Sequence, residues 1–397
     1  MNLITICFEC SFNFYTFVQT ISNHSLFSHN FLWSKTVLNK RSTTKLITKL
    51  TLVNGDIFEG IHFGYKQSTA GEVVFNTGMV GYPETLTDPS YNGQILVMTY
   101  PLIGNYGIPD DNSDTHLTEN FESEKIQVKA LIVSEESENY FHWNAKENLN
   151  DWLKRNKIPG LYGIDTRRLT KVLRERGTML GKIELGNDKI EYYNPDSDNL
   201  ISNVTIKKVH EYKRGKKRIL LIDCGCKKSI ITSLLQRNVS VLRVPYDYDI
   251  SVENYDGVVI SNGPGNPAVY KHLAASVKKL IQKQIPILGV CMGHQILSLA
   301  AGAKTYKLKY GHRSQNQPVK QTDSSKCYVT SQNHSFAVAT KSLPRGWQPW
   351  FENLNDYSNE GIRHEKLPFR SVQFHPEAAP GPVDTAFIFD EFLKDVK

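Results

Sequence analysis

The chain has 397 residues, 40% apolar and 22% charged, the balance of a globular protein of two or three domains. No run of about 18 apolar residues occurs, so nothing in it reads as a membrane-spanning helix. The net charge of +7 gives no case for nucleic acid: part of it comes from Lys35, Lys40, Arg41 and Lys45 against Glu9 alone, and Lys213, Arg214, Lys216, Lys217 and Arg218 crowd one short stretch, read as keeping a surface connection solvated.

Residues 1–48 are rich in Ser, Thr, Asn and Phe, without a clear period, and are read as an N-terminal extension. The apolar stretch Phe12–Val18 lacks the preceding positive charge of a secretory signal. An organellar transit peptide fits the Ser content and the shortage of acids, and an extension with no folded role fits equally well. The Asn-, Lys- and Ile-rich composition suggests an AT-rich genome, read as a plastid protein of the stroma, with a bacterial cytoplasm as the alternative. Cys7 and Cys10, like Cys224 and Cys226, lack the second pair or the histidines that a structural zinc would need, so no metal is expected and the six cysteines read as reduced thiols.

Residues 49–190 read as a smaller mixed α+β domain. Alternation around Asn54-Gly55 predicts a hairpin, short β-rich runs broken by Gly and Pro follow, and helices are predicted over Leu149–Arg155 and, after Asp165 as N-cap, Thr166–Arg176. Residues 191–216, polar and charged, read as a linker.

Over residues 217–397 the pattern becomes strand, helix, strand: Arg218–Asp223, Lys228–Arg237, Val239–Val244, Gly257–Ile260, His272–Lys283, Ile285–Val290, His294–Ala301. Such alternation predicts an α/β fold with a parallel sheet covered by helices on both faces. Functional groups are then expected at the carboxyl ends of the strands.

Gly289-Val290-Cys291-Met292-Gly293 has the mechanics of a nucleophile elbow: a strand ends, a reactive side chain sits on a tight turn, and a helix begins. The helix N-terminus favours a thiolate, and the Met292 N–H points where an oxyanion would form. The plain alternative is a small buried hydrophobe, but a cysteine between two glycines at such a junction is not ordinary core. A cysteine nucleophile needs a base and the base an orienting partner. Ser371–Phe374 reads as a strand that delivers His375 to the same rim, with Glu377 two residues on. His294 reads as a packing residue, and His312 and His334 as loop residues without catalytic context. No G-x-x-x-x-G-K-[ST] occurs, so the chain shows no P-loop.

GVCMGHQ with SVQFHPE resembles the signature of class I glutamine amidotransferases. NTGMVGYPETLTDPSYNGQ, YGIDTRRLTKVLRERG, SNGPGNP and FHPEAAPGPVDTAFIFDEF resemble the small subunits of carbamoyl-phosphate synthetases, from about residue 49 to the end. The resemblance implies a Cys291, His375, Glu377 triad and a glutamine site of Ser90, Gly263, Gly265, Met292, Gln295, Asn333, Ser335 and Phe336. It implies no cofactor in this subunit: a large-subunit partner uses ATP and Mg with bicarbonate, taking the ammonia through a tunnel, for arginine and pyrimidine biosynthesis. Met292 stands where the family commonly has Leu, Ser335 where it usually has Gly, and residues 312–317 depart from its glycine- and histidine-rich version. A cysteine peptidase or γ-glutamyl hydrolase, another amidotransferase subunit and a non-catalytic binding subunit are the rival readings. The N-terminal motifs argue against the first two and the intact triad against the third.

Overall fold

The computed structural model describes residues 46–110, 117 and 120–397. The readings of Phe12–Val18, of Cys7 with Cys10 and of nearly all the extension fall outside the described residues.

The predicted hairpin is β1 (Ile47–Leu52) with β2 (Ile57–Gly64), turning through Gly55 at φ 89°. Ile47 and Thr48 already pair with Ile61 and Gly60, so the first strand starts inside the segment read as extension. With β3 (Thr69–Asn76), β4 (Gln94–Met98), β5 (Ala130–Ile132), β6 (Pro159–Tyr162) and β7 (Met179–Glu184) they close a barrel in the order β1-β7-β3-β4-β5-β6-β2. Inward Leu50, Leu52, Val73, Ile95, Val97 and Leu161 fill it with Leu169 and Leu173 of a covering helix. Four helices stand in or beside this domain: α1 (Tyr82–Thr87), α2 (Leu149–Arg155), α3 (Thr166–Arg176) and, beyond the barrel, α4 (Ile201–Val204). The ends of α2 and α3 are those predicted, because Asn148 and Asp165 cap them by accepting from the amides of Asp151 and Arg168.

The stretch 191–216 is not a bare linker. It holds a 3-10 turn at Pro195–Ser197, then α4, then the edge strand β8 (His210–Tyr212). Leu200 and Ile201 are buried, Ile201 in the core of the second domain, and they anchor a segment that is otherwise polar. The basic cluster is likewise only partly a solvated face: Arg218 pairs with Glu211 and Glu253, and Lys217 donates to Val396 O.

In the second domain β9 (Arg218–Asp223), β10 (Ser240–Pro245), β11 (Gly257–Ile260) and β12 (Ile287–Val290) run parallel, joined by α5 (Lys228–Gln236), α6 (Lys271–Gln282) and α7 (Met292–Ala301). Beyond them lie β13 (Thr305–Gln321), β14 (Cys327–Val338), β15 (Trp347–Asn353), β16 (Asn359–His364) and β17 (Phe369–Val372), followed by α8 (Phe387–Asp395). The sheet order is β8-β10-β9-β11-β12-β17-β16-β14-β13-β15. Five central strands, β10 to β17 in that order, are the expected parallel sheet, and β16, β14, β13 and β15 extend it antiparallel. Successive residues face opposite sides: Ile219 and Leu221 pack with α5 and α8, Leu220 and Ile222 with α6 and α7. The antiparallel half lacked such a signal because β13 is polar and bulged, with register shifts after Lys307 and Ser314.

Candidate functional site

Cys291 sits between β12 and α7 at φ 53° and ψ −101°, a conformation that L-residues avoid and that turns the side chain out over the sheet. Gly293 permits the turn. A Cβ there would lie 2.1 Å from Ile260 O, so only glycine lets α7 begin this close to β11. The Cys291 amide donates to Val372 O (2.9 Å), tying the elbow to the strand that carries the histidine.

His375 follows β17 and is buried with its Nδ1 2.6 Å from Glu377 Oε1. Its Nε2 is buried with no hydrogen-bond partner. Burial pushes the ring pKa down, but the Glu377 carboxylate, helped by Cys291, outweighs it and lifts the value to about 10. Glu377 moves the other way. Burial would raise its pKa, yet Lys227 and His375 bring it down to about 2. The Lys227 ammonium lies 3.1 Å from Glu377 Oε1 and donates to Ala378 O at 2.9 Å.

Around Cys291 a narrow cavity, with room of about 20 Å³, is lined by Ser90, Gly263, Gly265, Cys291, Met292, Gln295, Asn333, Ser335 and Phe336 together with Asn92, Gln94, Asp196, Arg313 and His334. All eight positions expected to take glutamine thus meet on one wall system beside the nucleophile. Gln295 Nε2 donates to Phe336 O (2.8 Å) and Gln373 Oε1 (2.9 Å), and Gln373 Nε2 lies 3.6 Å from Cys291 Sγ. Ser90 comes from the barrel domain. Asp88 there accepts from the amide of Ser90 (2.9 Å) and from Asn333 Nδ2 (2.8 Å), and Asn262 Nδ2 donates to Ser90 Oγ (2.9 Å). The loop of one domain therefore closes the site of the other.

Residues 50–183 match the family described as carbamoyl-phosphate synthase small chain, CPSase domain, and residues 220–395 match glutamine amidotransferase class-I. The carbamoyl phosphate synthase arginine-specific small chain of Saccharomyces cerevisiae is 46% identical over 366 residues, covering 88% of this chain and 89% of that protein. The chain belongs to the carbamoyl-phosphate synthase small-chain family. The multifunctional protein CAD of Squalus acanthias is 51% identical over 358 residues, 88% of this chain and 16% of that protein. The mitochondrial carbamoyl-phosphate synthase (ammonia) of Homo sapiens is 45% identical over 353 residues, 88% of this chain and 24% of that protein. The chain thus spans less than a quarter of these longer relatives.

Against the family pattern, two of the departures in the pocket touch each other: Arg313 Nη2 donates to Ser335 Oγ. Several residues of the site were not singled out from the sequence. Lys227 and Asn262 follow the carboxyl ends of β9 and β11, so the strand-end rule that found Cys291 would have found them as well. Asp88 stands two residues before Ser90, and Gln373 two before His375.

The remaining histidines are placed outside the reacting group. His294 is wholly buried on α7, its Nδ1 2.9 Å from Ser371 Oγ, and burial lowers its pKa to about 3. His312 and His334 are strand residues of β13 and β14, not loop residues, because the bulged polar strands carry them into the sheet. With Glu360 they form a buried cluster whose nitrogens and carboxylate oxygen converge. His312 Nε2 lies 2.9 Å from Asp356 Oδ2 and Nδ1 3.3 Å from Glu360 Oε1. Burial opposes the charge on His312, but these two carboxylates raise its pKa to about 9.

Proposed function

We propose that this chain hydrolyses glutamine to glutamate and ammonia through Cys291, His375 and Glu377, and hands the ammonia to a large synthetase subunit that makes carbamoyl phosphate from bicarbonate and ATP. The observation that carries the reading is the strained Cys291 elbow, held by β17, with a buried His375–Glu377 pair at the end of that same strand.

The raised ring pKa favours the proton on His375 Nε2 over Cys291 Sγ, and the thiolate so formed attacks the side-chain carboxamide carbon. The negative oxygen then faces the Met292 amide at the start of α7 and the backbone near Gly263. The protonated ring gives its proton to the departing nitrogen, releasing ammonia and leaving a glutamyl thioester. His375, neutral again, draws a proton from water as it attacks the thioester, and glutamate leaves with the thiol restored. Glu377 keeps Nδ1 as the donor and stabilises the cationic ring. The arginine-specific small chain among the relatives supports arginine biosynthesis as one destination of the product, with pyrimidine biosynthesis as the other in this reading.

The test is Cys291→Ser assayed in complex with the large subunit. Glutamine-dependent synthesis should vanish while synthesis from added ammonium persists, because a hydroxyl is a far poorer nucleophile near neutral pH. Equal loss of both would show Cys291 to be structural.

A further inference from the structure

Three strands of the second domain bring nitrogen and carboxylate groups to one buried point: His312 on β13, His334 on β14 and Glu360 on β16. One atom of each lies within 4.8 Å of the other two. The outer nitrogens are engaged, His312 Nε2 with Asp356 Oδ2 (2.9 Å) and His334 Nδ1 with Phe336 O (2.9 Å). Such a bond fixes a proton on the outer nitrogen and leaves the inner one to ligate. Inside the cluster, His312 Nδ1 lies 3.3 Å and His334 Nε2 3.9 Å from Glu360 Oε1. Around a tetrahedral zinc, with bonds of about 2.0–2.1 Å, ligand atoms stand about 3.4 Å apart, so little closure is needed.

His334 shows that protons alone leave the cluster unfinished. Burial keeps its ring neutral, with a single N–H to give. Phe336 O takes it, yet Nε2 faces a second acceptor, Gln332 Oε1, at 3.1 Å. Turning the Gln332 amide over would not help, because its Nε2 donates to Thr330 Oγ1 (3.1 Å), whose own proton goes to Gln317 O (2.9 Å). Lone pair therefore meets lone pair away from water. In the same cluster His312 Nδ1 and Glu360 Oε2 are buried with no hydrogen-bond partner.

We infer that His312, His334 and Glu360 bind a divalent transition metal, zinc by the ligand set, with Gln332 Oε1 nearest to the fourth position. Two imidazoles and a carboxylate suit that cation, and the Asp356 carboxylate behind His312 brings the acids to two against its two charges. Metal binding displaces a proton from His312, so the same carboxylates serve both states. The ligands are far apart in sequence and include no cysteine, so spacing gives no sign of the site. No step of the glutamine reaction uses the metal. It cross-links β13, β14 and β16 and fixes His334, which lines the pocket beside Asn333.

The experiment strips the full-length protein with EDTA and titrates it with Zn²⁺, reading bound metal by equilibrium dialysis, thermal unfolding and the absorption spectrum of the Co²⁺ form. One Zn²⁺ should bind per chain and, at about 100 times Kd, raise Tm by about 5 °C. The Co²⁺ form should show nitrogen and oxygen ligation without a thiolate charge-transfer band, which separates this site from metal held by cysteines. Cys327→Ser, which removes the exposed thiol among the described residues, should bind as the wild type does. Glu360→Gln should bind no Zn²⁺ at concentrations that saturate the wild type. Asp356→Asn, which alters no ligating atom, should weaken binding roughly 10- to 100-fold, whereas a merely structural aspartate would leave the affinity unmoved. No Zn²⁺ on the wild type, a thiolate band, or equal affinity in Glu360→Gln and wild type overturns the proposal, and the first two outcomes need no variant to fold.

Discussion

Replacing Lys227 by Met tests whether the catalytic histidine and its carboxylate are governed by a third charge. Lys227 is buried, with Glu377 Oε1 at 3.1 Å and the acids Glu122 and Asp88 also drawing on its charge. The drop of the Glu377 pKa from an ordinary 4.5 to about 2 is produced by Lys227 and His375 against burial. That drop is worth about 3 kcal/mol at neutral pH, shared between the two partners. Removing one member of a buried pair also leaves the other poorly solvated, at a cost of about 3–5 kcal/mol when nothing compensates. Because His375 remains, about 2–3 kcal/mol should be lost, lowering Tm by roughly 4–6 °C on a scale of about 2 °C per kcal/mol for a unit of this size. The pH dependence has a definite sign. A depressed carboxylate pKa contributes stability that is complete above about 4.5 and lost as pH falls toward about 2. The gap between wild type and variant should therefore be widest at pH 5–7 and shrink on going to pH 3. Thermal unfolding across that range is the assay. A gap that is absent at pH 7, or constant down to pH 3, would refute the assignment of Glu377's charge to Lys227.

Glutaminase kcat separates the roles of the other two members: His375→Asn should remove nearly all turnover, Glu377→Gln about 10- to 1,000-fold, and the double variant should be little worse than His375→Asn alone. Among N-terminal truncations, a chain starting at residue 46 should be more stable than one starting at 49 by about 1–2 kcal/mol, because the latter loses the pairing of Ile47 and Thr48 with β2 and the bond from the His62 amide to Leu46 O; equal Tm values would contradict it. His312 carries a raised pKa, so its contribution is complete below about 6.5 and lost as pH rises through about 9; the Tm advantage of wild type over His312→Asn should shrink between pH 7 and 10.

What the sequence disclosed follows the strength of local signals. The parallel strands are short and largely apolar, so Arg218–Asp223 and Gly257–Ile260 are found at their predicted ends. The Cys291 elbow was visible because glycines at 289 and 293 answer a steric demand written in adjacent positions. By contrast β13 and β14 pair over long bulged registers with polar residues inside, a pattern that shows no period until the partner strand is known. The same holds for 191–216, where buried Leu200 and Ile201 anchor a segment that composition alone calls a connection.

The site was legible as a list of residue types but not as a charge arrangement. A His-Pro-Glu run shows a base with an orienting acid, yet says nothing of how a buried carboxylate and a buried imidazolium are tolerated together. Lys227, Glu377 and His375 supply the answer: the signs alternate plus, minus, plus, and the Cys291 thiolate formed during turnover would extend the alternation to four. Each ion has an opposite neighbour, so the low dielectric that penalises an isolated charge strengthens the series. The first member is contributed from the end of β9, far from the His375 run in sequence, and only the sheet brings it within reach. The barrel domain enters through Asp88, whose carboxylate binds Asn333 beside the nucleophile and contributes to the field on Lys227. Separating the two domains would therefore remove one wall of the pocket and also disturb the charge balance behind His375, which is a physical reason for one chain to carry both.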